Sequence, residues 1–147
     1  MNFLLDTNVV SEWTKPRPND GVIAWLAGVD EDRVFLSVVT LAEVRLGIER
    51  LPSGQRRTRL EAWLVDDLAA RFEGRLLPIT AETADRWGRV VARAQSAGRV
   101  LAAMDAWIVA TCEQHGLTLV TRDVADLASS GVDVLNPWGP TAVARDE

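Results

Sequence analysis

Apolar residues follow two rhythms along the 147-residue chain. Short runs, apolar at successive positions, occur at Asn2–Leu5, Val34–Ser37, Leu76–Ile79, Thr118–Thr121 and Asp133–Leu135. They are rich in Leu, Val, Ile or Phe. A strand with one wet face alternates apolar with polar, so these runs predict strands covered on both faces. Between them, apolar positions recur every three or four residues, which predicts helices with one buried stripe. Val22, Trp25, Leu26 and Val29 make such a stripe within 19–29. Leu41, Val44, Ile48 and Leu51 make one within 40–51, and Leu60, Trp63, Leu64, Leu68 and Phe72 one within 59–72. A helix over 80–98 starts on the cap residue Thr80 and stops at Gly98; one over 104–116 stops at Gly116. "VADLASSG" suggests a further short helix. Strands separated by helices of this length predict right-handed crossovers. The fold class is therefore α/β, a mainly parallel central sheet of four to five strands with helices on both faces.

In such sheets ligands sit beyond the carboxyl ends of the strands. Four acids fall there. Asp6 follows the first strand, Glu43 lies near the start of the helix after the second, Asp105 opens the helix leading to the fourth, and Asp123 follows "LTLVT". Three of them have an ordinary reading to set against a shared pocket. Thr40 and Glu43 match a capping box, Asp105 suits a helix dipole, and Asp123 could cap the short helix. Asp6, directly after a buried strand, has no such role evident in the sequence. If the acids converge, two charges about 4 Å apart cost on the order of 4 kcal/mol at an effective dielectric of about 20. A hard divalent cation, magnesium or manganese, relieves that repulsion. Zinc does not suit the chain: Cys112 and His115 are its only cysteine and histidine. Neither a serine–histidine–acid set nor a glycine-rich phosphate loop is present.

Composition changes the picture in three ways. The net charge of −5 argues against a generally basic nucleic-acid surface. The cations are nonetheless lopsided: all are arginine except Lys15, which suits phosphate recognition or reflects coding bias. Arg45, Arg50, Arg56, Arg57 and Arg59 form the densest basic stretch, readable as an RNA grip or as solvated helix faces. The lone cysteine fits a reducing cytoplasm, no run approaches the roughly 20 apolar residues of a membrane span, and no signal peptide is expected. Six tryptophans exceed what a small core needs and favour an interface for some of them.

Four segments in order then carry a resemblance: "LLDTNVVSE" at 4–12, "SVVTLAEVRLGIERL" at 37–51, "MDAWIVATCEQHGLTLVTRDVADL" at 104–127 and "VDVLNPW" at 132–138. The chain resembles the PIN-domain ribonucleases, in particular the VapC-type toxins of bacterial toxin–antitoxin pairs. The resemblance implies one PIN-like, three-layer domain over 1–138 and a short tail over 139–147. It implies cleavage of an RNA phosphodiester by metal-activated water, with Mg2+, or Mn2+ in its place, as cofactor. Asp6, Glu43 and Asp105 match the family's metal-binding acids, and Asp123 a fourth position. Thr7, Asn8, Thr121 and Asp126 match residues that orient or surround them, and Arg122 is a candidate contact to substrate phosphate. The implied partners are the RNA substrate, a VapB-type antitoxin and a second copy in a homodimer, with a higher hetero-oligomer in the antitoxin complex. No membrane partner is implied. The rival reading is a catalytically silent PIN-fold binding module. A receiver domain would need a lysine late in the chain, and an aspartate-nucleophile phosphatase an acid where Asn8 stands.

Overall fold

The computed structural model describes residues 1–139. The expected tail 139–147 therefore lies outside the described residues, apart from Gly139. In chain order the elements are β1 (Phe3–Leu5), α1 (Thr7–Glu12), α2 (Asp20–Gly28), β2 (Val34–Ser37), α3 (Val38–Glu49), α4 (Gln55–Ala62), α5 (Ala69–Arg71), β3 (Leu76–Leu77), α6 (Ala81–Ser96), α7 (Ala103–His115), β4 (Thr118–Val120), α8 (Val124–Ala128) and β5 (Val134–Leu135). The five strands form one sheet in the order β3-β2-β1-β4-β5, and every pairing is parallel. Central β1 aligns Phe3 with Val34 on one side and with Thr118 on the other.

The alternation of a pleated strand sorts β1 between two cores. Phe3 and Leu5 join Trp25, Leu36, Leu64, Leu68 and Phe72 on one face, under α1–α5. Leu4 joins Val90, Ile108, Val109 and Leu119 on the other, under α6 and α7. Phe3 meets Trp25 edge to face, with ring centroids 5.1 Å apart. Cys112 is buried in the second core, where desolvation pushes its thiol pKa up, so it packs as a small hydrophobe.

Three local differences from the sequence reading bear on the site. First, a helix unforeseen in the sequence, α1, begins directly after β1. Asp6 is its N-cap, its Oδ1 accepting the Thr7 amide at 2.8 Å. The acid with no evident ordinary role has one after all. Second, α3 starts at Val38 because the Ser37 hydroxyl accepts the Val39 amide at 3.0 Å. The Thr40–Glu43 capping box does not form, and Glu43 stands in the second turn, free of capping duty. Third, the helix expected over 59–72 begins at Gln55 and passes through a π-helical stretch at Trp63–Leu68. The α6 cap is as expected in place: the Thr80 hydroxyl accepts the Thr83 amide, and Thr83 returns the bond. Gly21 permits a close approach that a side chain would block, since a Cβ there would stand 2.5 Å from the Pro137 carbonyl oxygen. That contact holds the chain's last described turn against α2.

Candidate metal centre

The carboxyl ends of β1, β2 and β4 and the first turn of α7 meet at one edge of the sheet. β1 delivers Asp6, α3 carries Glu43, α7 brings Asp105 as its third residue, and β4 runs into Thr121, Arg122 and Asp123. The Asp6 amide donates to the Val120 carbonyl at 2.9 Å, so the parallel ladder itself sets β1 against β4 at this point. The buried Asp6 has both oxygens engaged: Oδ1 by the Thr7 amide, Oδ2 by the Thr121 hydroxyl at 2.7 Å. Thr121, fully buried, also accepts from the Asp123 amide at 3.1 Å and from Asn8 Nδ2 at 3.3 Å, which uses its one donor and two acceptor directions. Asn8 reaches Asp123 Oδ2 at 3.4 Å and accepts the Arg122 amide at the same distance. On the other flank, the Thr7 hydroxyl donates to Glu43 Oε1 at 2.6 Å. Thr7 and Thr121 are thus neutral clamps that aim charged groups.

The electrostatics are strained in one direction. Burial raises the Asp6 pKa, opposed by its bonds from Thr121 and Thr7 and reinforced by the Asp123 charge. Asp105 is pushed up to about 6, first by burial, then by the charges of Asp6, Glu43, Asp123 and Asp126. Every one of these contributions raises it. None of the described ion pairs involves any of these five acids. The cluster therefore has a deficit of positive charge that the described residues do not supply.

Among the described residues no three histidine, cysteine or acidic side chains stand together as a ready cage for a metal ion. The donor chemistry nonetheless fits magnesium: all the groups are hard oxygen. Such an ion commonly takes one or two carboxylates directly and keeps several waters, so a cage of three is not required. An oxygen that accepts one hydrogen bond, as both of Asp6 do, retains a second lone pair.

The remaining sequence candidates occupy outer places. Asp126 sits on α8 and reaches the centre through its charge on Asp105. Asp123 occupies the N-cap position of α8 but makes no capping bond with its side chain, so the ordinary reading of it fails. Arg122 lies with its guanidinium 5.5 Å from the centroid of the Trp138 ring. A hollow of about 260 Å³ opens beside Thr7 and Glu43 and runs between α1, α3 and α4. Its walls come from helices distant in sequence. The sequence reading marked Arg56 and Arg59 only within a basic stretch and gave Lys15 no place beside them.

Residues 3–128 match the family model described as PIN domain. Toxin FitB of Neisseria gonorrhoeae is 40% identical over 92% of this chain and 98% of its own length. VapC ribonuclease Y4jK of Sinorhizobium fredii is 35% identical over 94% of this chain and 99% of its own. Among solved structures, FitAB bound to an IR36 DNA fragment superposes with a TM-score of 0.88 at 38% identity, covering 93% of this chain and 96% of that one. A five-stranded parallel sheet with acids at its carboxyl edge, matched along nearly the whole chain, places this protein in the PIN-domain family, among its VapC-type members.

Proposed function

We propose that this chain is the toxin of a toxin–antitoxin pair and acts as a magnesium-dependent endoribonuclease. The observation that carries the reading is the uncompensated charge at the sheet edge, where burial and then the charges of four other acids raise Asp105 to about 6. Perturbed groups of this kind cluster at working sites. The relatives named as a toxin and as a VapC ribonuclease support the same reading. When bound, magnesium, or manganese in its place, supplies a lowered water pKa and positive charge beside a phosphodiester.

The chain's own residues do the rest. Asp6 and Asp105 hold the main ion, Glu43 completes its surroundings or holds a second, and Asp123 is a further ligand directly or through water. Thr7 fixes Glu43, while Thr121 and Asn8 fix Asp6 and Asp123, so the acids keep their directions when substrate arrives. Asp126 adds negative charge at the rim. Arg122, whose guanidinium stands over the Trp138 ring, takes the role of a contact to substrate phosphate in this reading. The partner is a VapB-type antitoxin, the chain forms a homodimer and a larger hetero-oligomer with it, and the place of action is the cytoplasm. The FitAB–DNA complex supports the antitoxin pairing. No described helix is long and apolar enough to cross a membrane.

A silent binding module is the second reading, favoured by the absence of a ready three-acid cage among the described residues. One experiment separates them. The purified chain is incubated with structured RNA and magnesium or manganese, with and without EDTA, beside Asp6→Asn. Asn keeps the acceptor that caps α1 and removes the charge. Cleavage that EDTA stops and a folded Asp6→Asn lacks supports the nuclease. Cleavage undiminished in the variant rejects this site, and no cleavage by the wild-type chain favours the silent module.

A further inference from the structure

Of the five arginines of the dense basic stretch, Arg50 is exposed and outside the hollow described above, and the other four separate into two groups. Arg57 is spent internally: it pairs with Glu49 and Glu61, both at 3.0 Å, and donates to the Leu51 carbonyl. Arg45 pairs with Glu49 at 3.7 Å. Arg56 and Arg59, one turn apart on α4, make no described ion pair and are exposed. With Leu60 and Trp63 they form one helix face, since positions three, four and seven apart align. That face looks onto the hollow beside Thr7 and Glu43 and onto a second of about 310 Å³ that shares Thr14, Lys15, Arg56, Leu60 and Trp63 with it. The two form one groove. Its near end holds Glu43 and the Thr7 clamp. Its floor is apolar, from Val44, Ile48 and Leu60. Its far end holds Arg56 and Arg59 beside the half-buried ring of Trp63; Lys15 lines it too but is paired with Glu12, and Arg71 covers the Trp13 ring at 4.4 Å.

We infer that this groove is a binding track for single-stranded RNA next to the cleaved bond, with Arg56 and Arg59 contacting backbone phosphates. Charge complementarity commits it to that occupant. In a chain of net charge −5, two arginines without a described ion-pair partner stand at the end of a groove whose other end leads to the acids. Cations along the backbone with aromatic and apolar surface for bases and sugars are what a single strand requires. Arginine forks match phosphate oxygens in pairs. The inference rests on the nuclease reading only for what occupies the acid end.

The test measures binding of a fluorescein-labelled oligouridylate in EDTA, where nothing is cut, across a salt series. Arg56→Ala/Arg59→Ala is expected to weaken binding about tenfold and to flatten the log–log salt slope by about 1.4, two contacts at ~0.7 each. Arg56→Lys/Arg59→Lys restores the slope, which a merely structural role would not. Arg45→Ala leaves it unchanged. In cleavage assays the alanine pair raises KM and spares kcat. Unmeasurable wild-type binding, or an unchanged slope in the alanine pair, overturns the track. So does an alanine pair that loses its antitoxin but keeps the oligouridylate, because the groove then belongs to a protein segment. A wild-type chain that binds through these arginines yet never cleaves rejects the nuclease reading and keeps the track. A cleaving chain indifferent to both arginines rejects the track alone.

Discussion

The two ends of α1 each bury a carboxylate, and the two fare oppositely. Asp6, 6% exposed, caps the N-terminus; Glu12, 2% exposed, closes the C-terminal end. Burial pushes both pKa values up. At Glu12 the push is overcome by its bonds from Lys15 and the Asn19 amide and by the charges of Lys15 and Arg122, and the pKa falls below 4.5. At Asp6 the opposing bonds come from a neutral hydroxyl and an amide, the nearby charge is another acid, and the pKa stays above 3.8. Glu12 is a finished structural pair that ties α1 to the start of α2. Asp6 is an unfinished one. The difference separates a structural acid from a candidate functional one: the fold buries and aims Asp6 but supplies no described cation beside it.

The sharpest way to break the comparison is to take the charge from the unfinished side. Asp105→Asn is expected to lower cleavage by about 10²-fold or more, the effect of losing roughly 3 kcal/mol of transition-state stabilisation. Single-turnover rates at saturating magnesium check this. The thermal midpoint of the metal-free variant should not fall, because an acid held above its ordinary pKa opposes folding when ionised. Next comes the clamp. Thr121→Val removes the bond to Asp6 and the acceptor for the Asp123 amide, and is expected to cost about 10–100-fold in activity or metal affinity, read by magnesium titration.

The finished side responds in stability instead. Glu12→Gln keeps an acceptor for the Asn19 amide but leaves Lys15 unpaired. Lys15 is half exposed, so the loss is expected near 1–2 kcal/mol rather than the larger cost of breaking a fully buried pair, measured by urea denaturation with activity unchanged.

The smallest effect sharpens the contrast through pH. A carboxylate lowered in the folded state adds stability above its unfolded pKa, so the contribution of Glu12 is lost as pH falls below about 4.5. An acid raised in the folded state has the opposite sign. For Asp105 the folded protein binds the proton more tightly, so metal-free stability rises as pH falls from about 6 towards 3.8. Thermal midpoints of the EDTA-treated protein should therefore pass through a maximum where the two windows overlap, between about 3.8 and 4.5. Magnesium should raise the midpoint at pH 7 more than at pH 5, since protons compete for the same oxygens. A midpoint that falls steadily from pH 7 to pH 5 would contradict the charge deficit.

Much of this was legible in the residues. Strands apolar on both faces mean a parallel sheet, and a parallel sheet fixes which end collects ligands, so Asp6, Glu43, Asp105 and Asp123 could be marked before any coordinates. The helix α1 was not legible. Its six residues hold only two apolar ones, Val9 and Val10, too few to show a helical stripe, and the cap that starts them, Asp6, looks like an orphan acid until the helix is known. The start of α3 was misplaced because Thr40 and Glu43 fit a capping box as well as Ser37 fits a cap. In the folded chain Ser37 ends β2, and the helix must begin there.

From the sequence alone came the fold class, the order of its elements and the acids at the sheet's edge, because periodicity and strand-end chemistry are local. Which charges are neutralised was decided only in three dimensions. Asp6 meets Thr121 from the end of β4 and no described cation, and Arg57 reaches Glu49 on the preceding helix while Arg56 and Arg59, on the next face of α4, look into a groove. Such differences depend on side-chain direction and on neighbours brought from elsewhere by packing. Coulomb energy falls with distance in space, and spacing along the chain does not report it.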